Sequence, residues 1–313
     1  MERRPLGRSG LSIAPLMLGG NVFGWTADEA TSHAILDAFV AGGFNAVDTA
    51  DVYSAWVPGN SGGDSEKVIG SWLKARGRRD DVIIATKVGM WPARLGLSAA
   101  NIIAAAEDSL RRLQTDYIDL YQSHRDDADT PQDETLEAFD RLLKAGKVRA
   151  IGASNFEAER LDSAIAASAA KGLPRYDTLQ PAYNLMDRRI EGRLQQVCLD
   201  TGASIISYYG LASGFLTGKY RTEADLAKSP RGAGMKKHLD GDKGPRVLAA
   251  LDAAAAELGA TPAQVALAWV MARPAVAAPI ASATSLAQLE ELMGAARLSL
   301  DPAHIARLDA ASA

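Results

Sequence analysis

YIDLYQSHRDDADTPQDETLEAFDRLLKAGKVRAIGAS, residues 117–154, is the stretch whose reading decides the fold. It opens on a short apolar run, Tyr117 to His124. An amphipathic helix follows, from Pro131 to about Ala145. A second short apolar run then extends from Val148 to Ser154. Strands too apolar to face water on either side, joined through an amphipathic helix, are the pattern of a parallel sheet covered by helices.

The same unit recurs on both sides. Upstream, strands are expected at Ala14 to Gly19, Asn45 to Thr49 and Val82 to Val88, with helices from Asp28 to about Ala41, from Asp64 to about Arg76 and from Ser98. Downstream, a helix is expected from Phe156 to about Lys171. Strands follow at Thr178 to Ala182, Ser204 to Tyr209 and Val276 to Ala281. A helix running through Leu194, two more at Pro245 to Leu258 and Pro262 to Ala272, and one after Ser285 fill the intervals. Eight units in 313 residues favour a closed (β/α)8 barrel over an open doubly wound sheet, with residues 1–313 read as one domain. Gly-Arg-Ser-Gly before Ala14 predicts an N-terminal hairpin capping the barrel, and Asp301-Pro302 predicts an added C-terminal helix to about Ala310. The most irregular stretch, Gly210 to Gly244, is rich in Gly, Lys and Arg and reads equally as a functional loop or a solvated excursion.

A hydrophobic share of 47% with 23% charged residues fits an ordinary globular protein. The net charge of -4 argues against a nucleic-acid or anionic-membrane binder. One cysteine, Cys198, rules out an internal disulfide and points to a reducing compartment; the first residues hold no apolar signal core, so a cytoplasmic location is expected. No Gly-x-Gly-x-x-Gly follows a strand and opens a helix, and neither a Walker loop nor His-Glu-x-x-His is present, so no metal is expected.

Catalytic groups of such barrels stand at the C-terminal ends of the strands. That rule selects Asp48, Lys87 and His124 at the ends of three consecutive strands, and Tyr53 in the loop after Asp48. Carbonyl reduction needs a hydride donor and a proton donor. A tyrosine hydroxyl keeps its proton at neutral pH, and a neighbouring ammonium is expected to lower its pKa. A carboxylate holds the lysine charged, and a histidine orients the carbonyl oxygen. Each residue alone reads as ordinary packing; four complementary groups on one rim are harder to dismiss. Trp25, Trp56 and Trp91 are candidates for an apolar substrate pocket near Tyr53, and Arg125 for either an anionic substrate or a surface ion pair.

The motifs around these residues resemble those of the aldo-keto reductases, in the branch that includes potassium-channel β subunits. Phe44 to Ser54 resembles the segment with that family's catalytic Asp and Tyr, Ile84 to Val88 its lysine strand, and Asp116 to His124 its histidine strand. Val148 to Phe156, Gln180 to Leu185 and Gly214 to Tyr220 continue the resemblance in order. It implies an NADP(H)-dependent oxidoreductase acting on an aldehyde, a ketone or the corresponding alcohol. In that frame Ser154, Asn155 and Gln180 hold the nicotinamide carboxamide and Tyr208 stacks on its ring. Leu211, Ser213 and Lys219 surround the pyrophosphate, Arg231 clamps the adenosine phosphate, and Ser282, Thr284, Gln288 and Glu291 hold the adenosine end.

Three departures from the pattern stand out. Thr284 stands where many relatives carry a cation for the 2′-phosphate, and Leu292 where many carry Asn; this opens the choice between NADP and NAD. Tyr209-Gly210 replaces the usual Ser-Pro. An NAD-preferring alcohol or sugar dehydrogenase is the alternative within the enzyme class, and a cofactor-sensing subunit like those of potassium channels is the alternative outside it. The substrate, the direction of reaction and the oligomeric state stay open at this level.

Overall fold

A computed structural model describes residues 1–228 and 232–313. The strands are β1 (Arg4–Pro5), β2 (Ser12–Ile13), β3 (Met17–Gly19), β4 (Ala46–Asp48), β5 (Ile83–Val88), β6 (Met90–Trp91), β7 (Arg94–Leu95), β8 (Ile118–Ser123), β9 (Val148–Ser154), β10 (Thr178–Gln180), β11 (Ser204–Ser207) and β12 (Val276–Ala281). The helices are α1 (Glu29–Ala41), α2 (Asp64–Arg76), α3 (Ala99–Leu113), α4 (Gln132–Lys144), α5 (Ala158–Lys171), α6 (Arg193–Thr201), α7 (Lys236–Leu239), α8 (Lys243–Leu258), α9 (Pro262–Met271), α10 (Leu286–Ala295) and α11 (Pro302–Ala311).

Eight strands close into a barrel in the order β3-β4-β5-β8-β9-β10-β11-β12, and each neighbouring pair is parallel. The expected (β/α)8 barrel is therefore the architecture found. Successive strand residues point to opposite faces, which sorts them into two cores. Met17, Ala46, Ile83, Ala85, Leu120, Ala150 and Ile206 fill the lumen, whereas Val47, Ile84, Tyr121, Ile151, Leu179 and Ile205 pack outward against helices. That parity fixes the site. Going up each strand from its lumen residue in steps of two leads from Ala46 to Asp48, from Ala85 to Lys87, from Leu120 to Gln122 and His124, and from Thr178 to Gln180.

The hairpin β1–β2 pairs antiparallel and drives Leu6, Leu11 and Ile13 into the lumen core at the opposite end. Burying each such side chain contributes about 1.5–3 kcal/mol. Arg4 clamps the hairpin by donating to the Met271 and Val276 carbonyls at 2.7 and 3.2 Å. The helices begin where their caps dictate. Asp28, Ser98, Thr261 and Asp301 each accept a hydrogen bond from an amide in their helix's first turn, and Thr261 with Gln264 completes a capping box. α11 is the expected C-terminal helix.

One expected element is misplaced. The helix expected to run through Leu194 instead begins there: α6 spans Arg193–Thr201. Asn184 is the reason, since its side-chain carbonyl accepts the Met186 and Asp187 amides and folds the chain into a turn. Gly192, at φ 101°, then redirects the chain into α6. The hairpin β6–β7, unforeseen in the sequence, projects from the end of β5. Within the long stretch after β11, the described residues form short 3-10 turns at Ala212–Thr217, Glu223–Lys228 and Gly232–Met235 before α7. Among the described residues no helix is long and apolar enough to cross a membrane.

Candidate active site

Asp48, Tyr53, Lys87 and His124 come together at the C-terminal mouth of the barrel. Lys87 is fully buried, and its ammonium donates to Asp48 Oδ2 at 2.7 Å, to the Tyr53 hydroxyl at 2.9 Å and to the Thr49 carbonyl at 2.9 Å. The Tyr53 hydroxyl also lies 3.3 Å from Asp48 Oδ2. The His124 ring stands 6.0 Å from the Tyr53 ring, centroid to centroid. Tyr53 is held by a run of tight turns: Tyr53 N–H donates to Ala50 O, Ala55 N–H to Val52 O, and Val57 N–H to Ser54 O. Ser54, at φ 68°, ties this loop to the one after β3 by donating to Phe23 O at 2.8 Å.

Burial and the Asp48 charge together push the Tyr53 phenol well above its usual range. This corrects the expectation that Lys87 would lower it: the phenol is buried, and the carboxylate that holds the lysine is also hydrogen-bonded to the tyrosine. Lys87 itself is lowered by burial, against the pull of Asp48. His124 is pushed well below its usual value by burial, then by Lys87 and Arg125, so its ring is neutral at neutral pH. The resulting rim holds a protonated phenol, a neutral imidazole and a lysine anchored by a carboxylate.

Beside the tetrad lies a second polar track. Gln180 Nε2 donates to Asp48 Oδ1 at 2.9 Å, and Gln122, which the sequence did not single out, reaches the same oxygen at 3.5 Å. A polar amide two residues before His124 on an otherwise apolar lumen face was the signal for Gln122. Ser154 Oγ donates to Gln180 O at 2.8 Å. Asn155, at φ 56°, donates to His124 O at 2.9 Å and accepts from the Tyr208 hydroxyl at 2.7 Å. Ser154, Asn155, Gln180 and Tyr208 thus join the tetrad in one network.

The remaining candidates spread along the rim. Leu211 and Ser213 lie in the turn after β11, with Ser213 at φ 57°. The exposed Lys219 sits over the Tyr220 ring at 5.0 Å. Ser282 donates to Asn21 Oδ1 at 2.5 Å. The Thr284 amide and hydroxyl both donate to Gln288 Oε1, at 2.9 and 3.0 Å, at the start of α10. Glu291 accepts from Gln264 through its backbone carbonyl. Arg231 lies outside the described residues. Trp25 and Trp56 meet edge to face at 5.7 Å, and Trp56 stands 6.2 Å from the Tyr53 ring. Trp91 shares no ring contact with these three among the described residues; it sits between Arg94 and Arg112, 5.9 Å from each guanidinium. Tyr209, exposed and at φ 59°, was not foreseen as a site residue, and it packs on Tyr208 at 4.8 Å.

A family model described as "Aldo/keto reductase family" matches residues 15–313. The chain belongs to the aldo/keto reductase family. It is 38% identical to the uncharacterized oxidoreductase YrpG of Bacillus subtilis, over 96% of this chain and 93% of that one. It is 34% identical to the aldo-keto reductase YhdN of the same organism, over 91% and 84%. A probable voltage-gated potassium channel subunit beta of Arabidopsis thaliana is 33% identical, over 94% and 91%. As an aldo/keto reductase with relatives named oxidoreductases, the chain is supported as an oxidoreductase.

Proposed function

We propose that this aldo/keto reductase reduces an aldehyde or ketone to an alcohol, or runs the reverse, with NADP(H) as its cofactor and Tyr53 as the proton donor. The observation that carries the reading is the Tyr53 hydroxyl, protonated and 2.9 Å from a buried ammonium at the mouth of the barrel.

The residues at the mouth fit a nicotinamide. Ser154, Asn155 and Gln180 present amide and hydroxyl groups of the kind that match a neutral carboxamide, and Tyr208 offers a ring beside them. His124 Nδ1 and Ser207 Oγ are buried there without a hydrogen-bond partner among the described residues, which is unfavourable unless a ligand engages them. Lys219, Ser213 and Leu211 would serve the pyrophosphate, and Ser282, Thr284, Gln288 and Glu291 the adenosine end, with Arg231 for its phosphate. When bound, the reduced cofactor supplies the hydride.

The protein's own residues handle the proton. A carbonyl oxygen placed between Tyr53 and His124 receives the Tyr53 proton as negative charge develops on it. Lys87 stabilises the phenolate left behind, through a contact already in place and shielded from water. Asp48 keeps the lysine charged and fixed. Neutral His124 donates a hydrogen bond to the carbonyl oxygen and does not compete as an acid. Trp25 and Trp56 line the substrate side, where apolar walls with few polar anchors suit a small organic carbonyl.

The test is Tyr53→Phe, which removes one oxygen. Turnover of a carbonyl panel is expected to fall by at least about a hundredfold, with cofactor affinity within about twofold by fluorescence titration. Retained turnover would remove Tyr53 from the chemistry. Titrating NADPH and NADH in parallel decides the cofactor: a tenfold preference is about 1.4 kcal/mol, and its absence would favour the NAD-preferring dehydrogenase, in keeping with Thr284 bonding Gln288 instead of offering a cation.

A further inference from the structure

Three residues beyond Asp48, the chain buries another carboxylic acid. Asp51 is 1% exposed, and its N–H donates to the Lys87 carbonyl at 3.3 Å. Neither of its carboxyl oxygens has a hydrogen-bond partner among the described residues. Nearby buried acids are all compensated. Asp48 is held by Lys87 and Gln180, Glu66 by Thr86 and Arg112, and Asp119 by the Ile84 amide, Arg79 and Arg149. Asp51 is without such compensation, although it stands on the turn that carries Tyr53 and is bonded to the backbone of the lysine that touches Tyr53.

An ionised carboxylate cannot stay buried cheaply without partners, so such a group keeps its proton. The groups facing Asp51 come from every side. Glu66 on α2 disfavours its charge; Arg112 on α3 and Lys87 on β5 favour it; the Tyr121 phenol on β8 is itself raised by it. The Val52 amide favours the charged form without completing a hydrogen bond. Burial and Glu66 prevail, and the carboxyl is pushed up to about 7.

Resting on the function proposed above, we propose that Asp51 is a positioning residue for the proton transfer: a buried carboxyl on the Tyr53 turn, tied through its amide to the Lys87 backbone, whose ionisation adds a second negative charge near the lysine and weakens Tyr53 as a proton donor. The coupling runs through Lys87, whose ammonium is favoured by the Asp51 charge. With Asp51 neutral, Lys87 answers chiefly to Asp48 and Tyr53, and its field is available to a developing phenolate. With Asp51 charged, part of that field is cancelled.

The experiment is reductive kcat/KM measured against pH between about 5.5 and 8.5 for the full-length wild type, Asp51→Asn, Asp51→Leu and Asp51→Glu. Wild type is expected to lose about three- to tenfold through the neutral range. Asp51→Asn and Asp51→Leu should hold the low-pH value throughout, and Asp51→Glu should restore a pH-dependent limb. Leu fills the same buried space without asking for a partner, so it covers the case in which Asn does not fold. A neutral limb that survives in both uncharged variants overturns the assignment, as does its absence from wild type. Thermal unfolding gives an independent reading. The carboxyl's raised affinity for a proton is a native-state property, so wild type should lose stability relative to Asp51→Leu as pH rises from the ordinary carboxylate range to about 7, and level off above it. A pH-independent difference overturns the proposal without reference to catalysis. Failure of wild type to reduce any carbonyl overturns the functional reading along with it, whereas turnover with an unchanged limb overturns the role of Asp51 alone.

Discussion

Gln180 and Asp48 are hydrogen-bonded across the full width of the barrel, Nε2 to Oδ1 at 2.9 Å. Their strands, β10 and β4, are four steps apart in a ring of eight, directly opposite each other. Asp48 therefore divides its two oxygens. Oδ2 holds Lys87, and Oδ1 holds the amide that the cofactor reading assigns to the nicotinamide. On the proposed reading, proton handling and cofactor recognition would meet at one carboxylate.

Gln180→Leu separates them. Asp48 Oδ1 keeps only the 3.5 Å approach of Gln122. Losing a hydrogen bond to a buried charge is expected to cost about 1.5–3 kcal/mol of stability, read from urea denaturation. Because the same amide is assigned to the carboxamide, NADPH affinity should fall about tenfold, equivalent to about 1.4 kcal/mol. Unchanged affinity alongside the stability loss would confine Gln180 to holding Asp48.

Lys87 and Asp48 form an almost fully inaccessible ion pair. Removing one partner strands the other. Lys87→Met is expected to destabilise by about 3–5 kcal/mol, whereas Lys87→Met with Asp48→Asn should cost less than the single change. Turnover should be lost in both. Urea midpoints of the two variants check this, and a double variant less stable than the single would show that the pair is not the source of the cost.

Much of this was legible because parallel strands buried on both faces announce themselves as apolar runs, and because alternation along β4, β5 and β8 projects Asp48, Lys87 and His124 to one rim. What escaped depended on sums or on distances. The direction of the Tyr53 shift comes from burial and from Asp48, which no spacing reveals. Asp51 reads as one more polar residue in a loop until its surroundings are seen. The β6–β7 hairpin, which sets Trp91 beside Arg94 and Arg112, carries no strand signal in so short a stretch. The turn before α6 depended on the Asn184 side chain outcompeting a helix, a local choice that composition does not disclose.

His124 gives a pH dependence of definite sign. Its folded-state pKa is depressed by burial and by Lys87, so below its ordinary value near 6.5 the unfolded chain binds a proton that the native state refuses. Stability therefore falls as pH drops below that value, by up to about 1.4 kcal/mol per pH unit. His124→Asn should remove this contribution. Urea denaturation at about pH 5 and 7 for wild type and variant gives the check, and identical slopes in both proteins would place the titration elsewhere.

Gly70 tests the packing that supports the buried acids. A Cβ at this position on α2 would lie 2.1 Å from the Arg112 carbonyl oxygen and 2.8 Å from the Leu113 carbonyl carbon on α3. Both are backbone atoms, so relief requires the helices to part. In an exposed helix, Gly→Ala stabilises by roughly 0.5–1 kcal/mol. At Gly70 the overlap reverses the sign, and Gly70→Ala is expected to destabilise by about 1–3 kcal/mol. The same shift strains the contact of Arg112 with Glu66, held at 2.5 Å, so the cost should exceed that of the added methyl alone. Gly77→Ala is the comparison, because nothing lies within 4 Å of its Cβ position and only its left-handed φ of 65° is penalised. It should cost about 1–2 kcal/mol with activity per folded molecule unchanged. A Gly70→Ala protein as stable as wild type would show that α2 and α3 do not approach at this point.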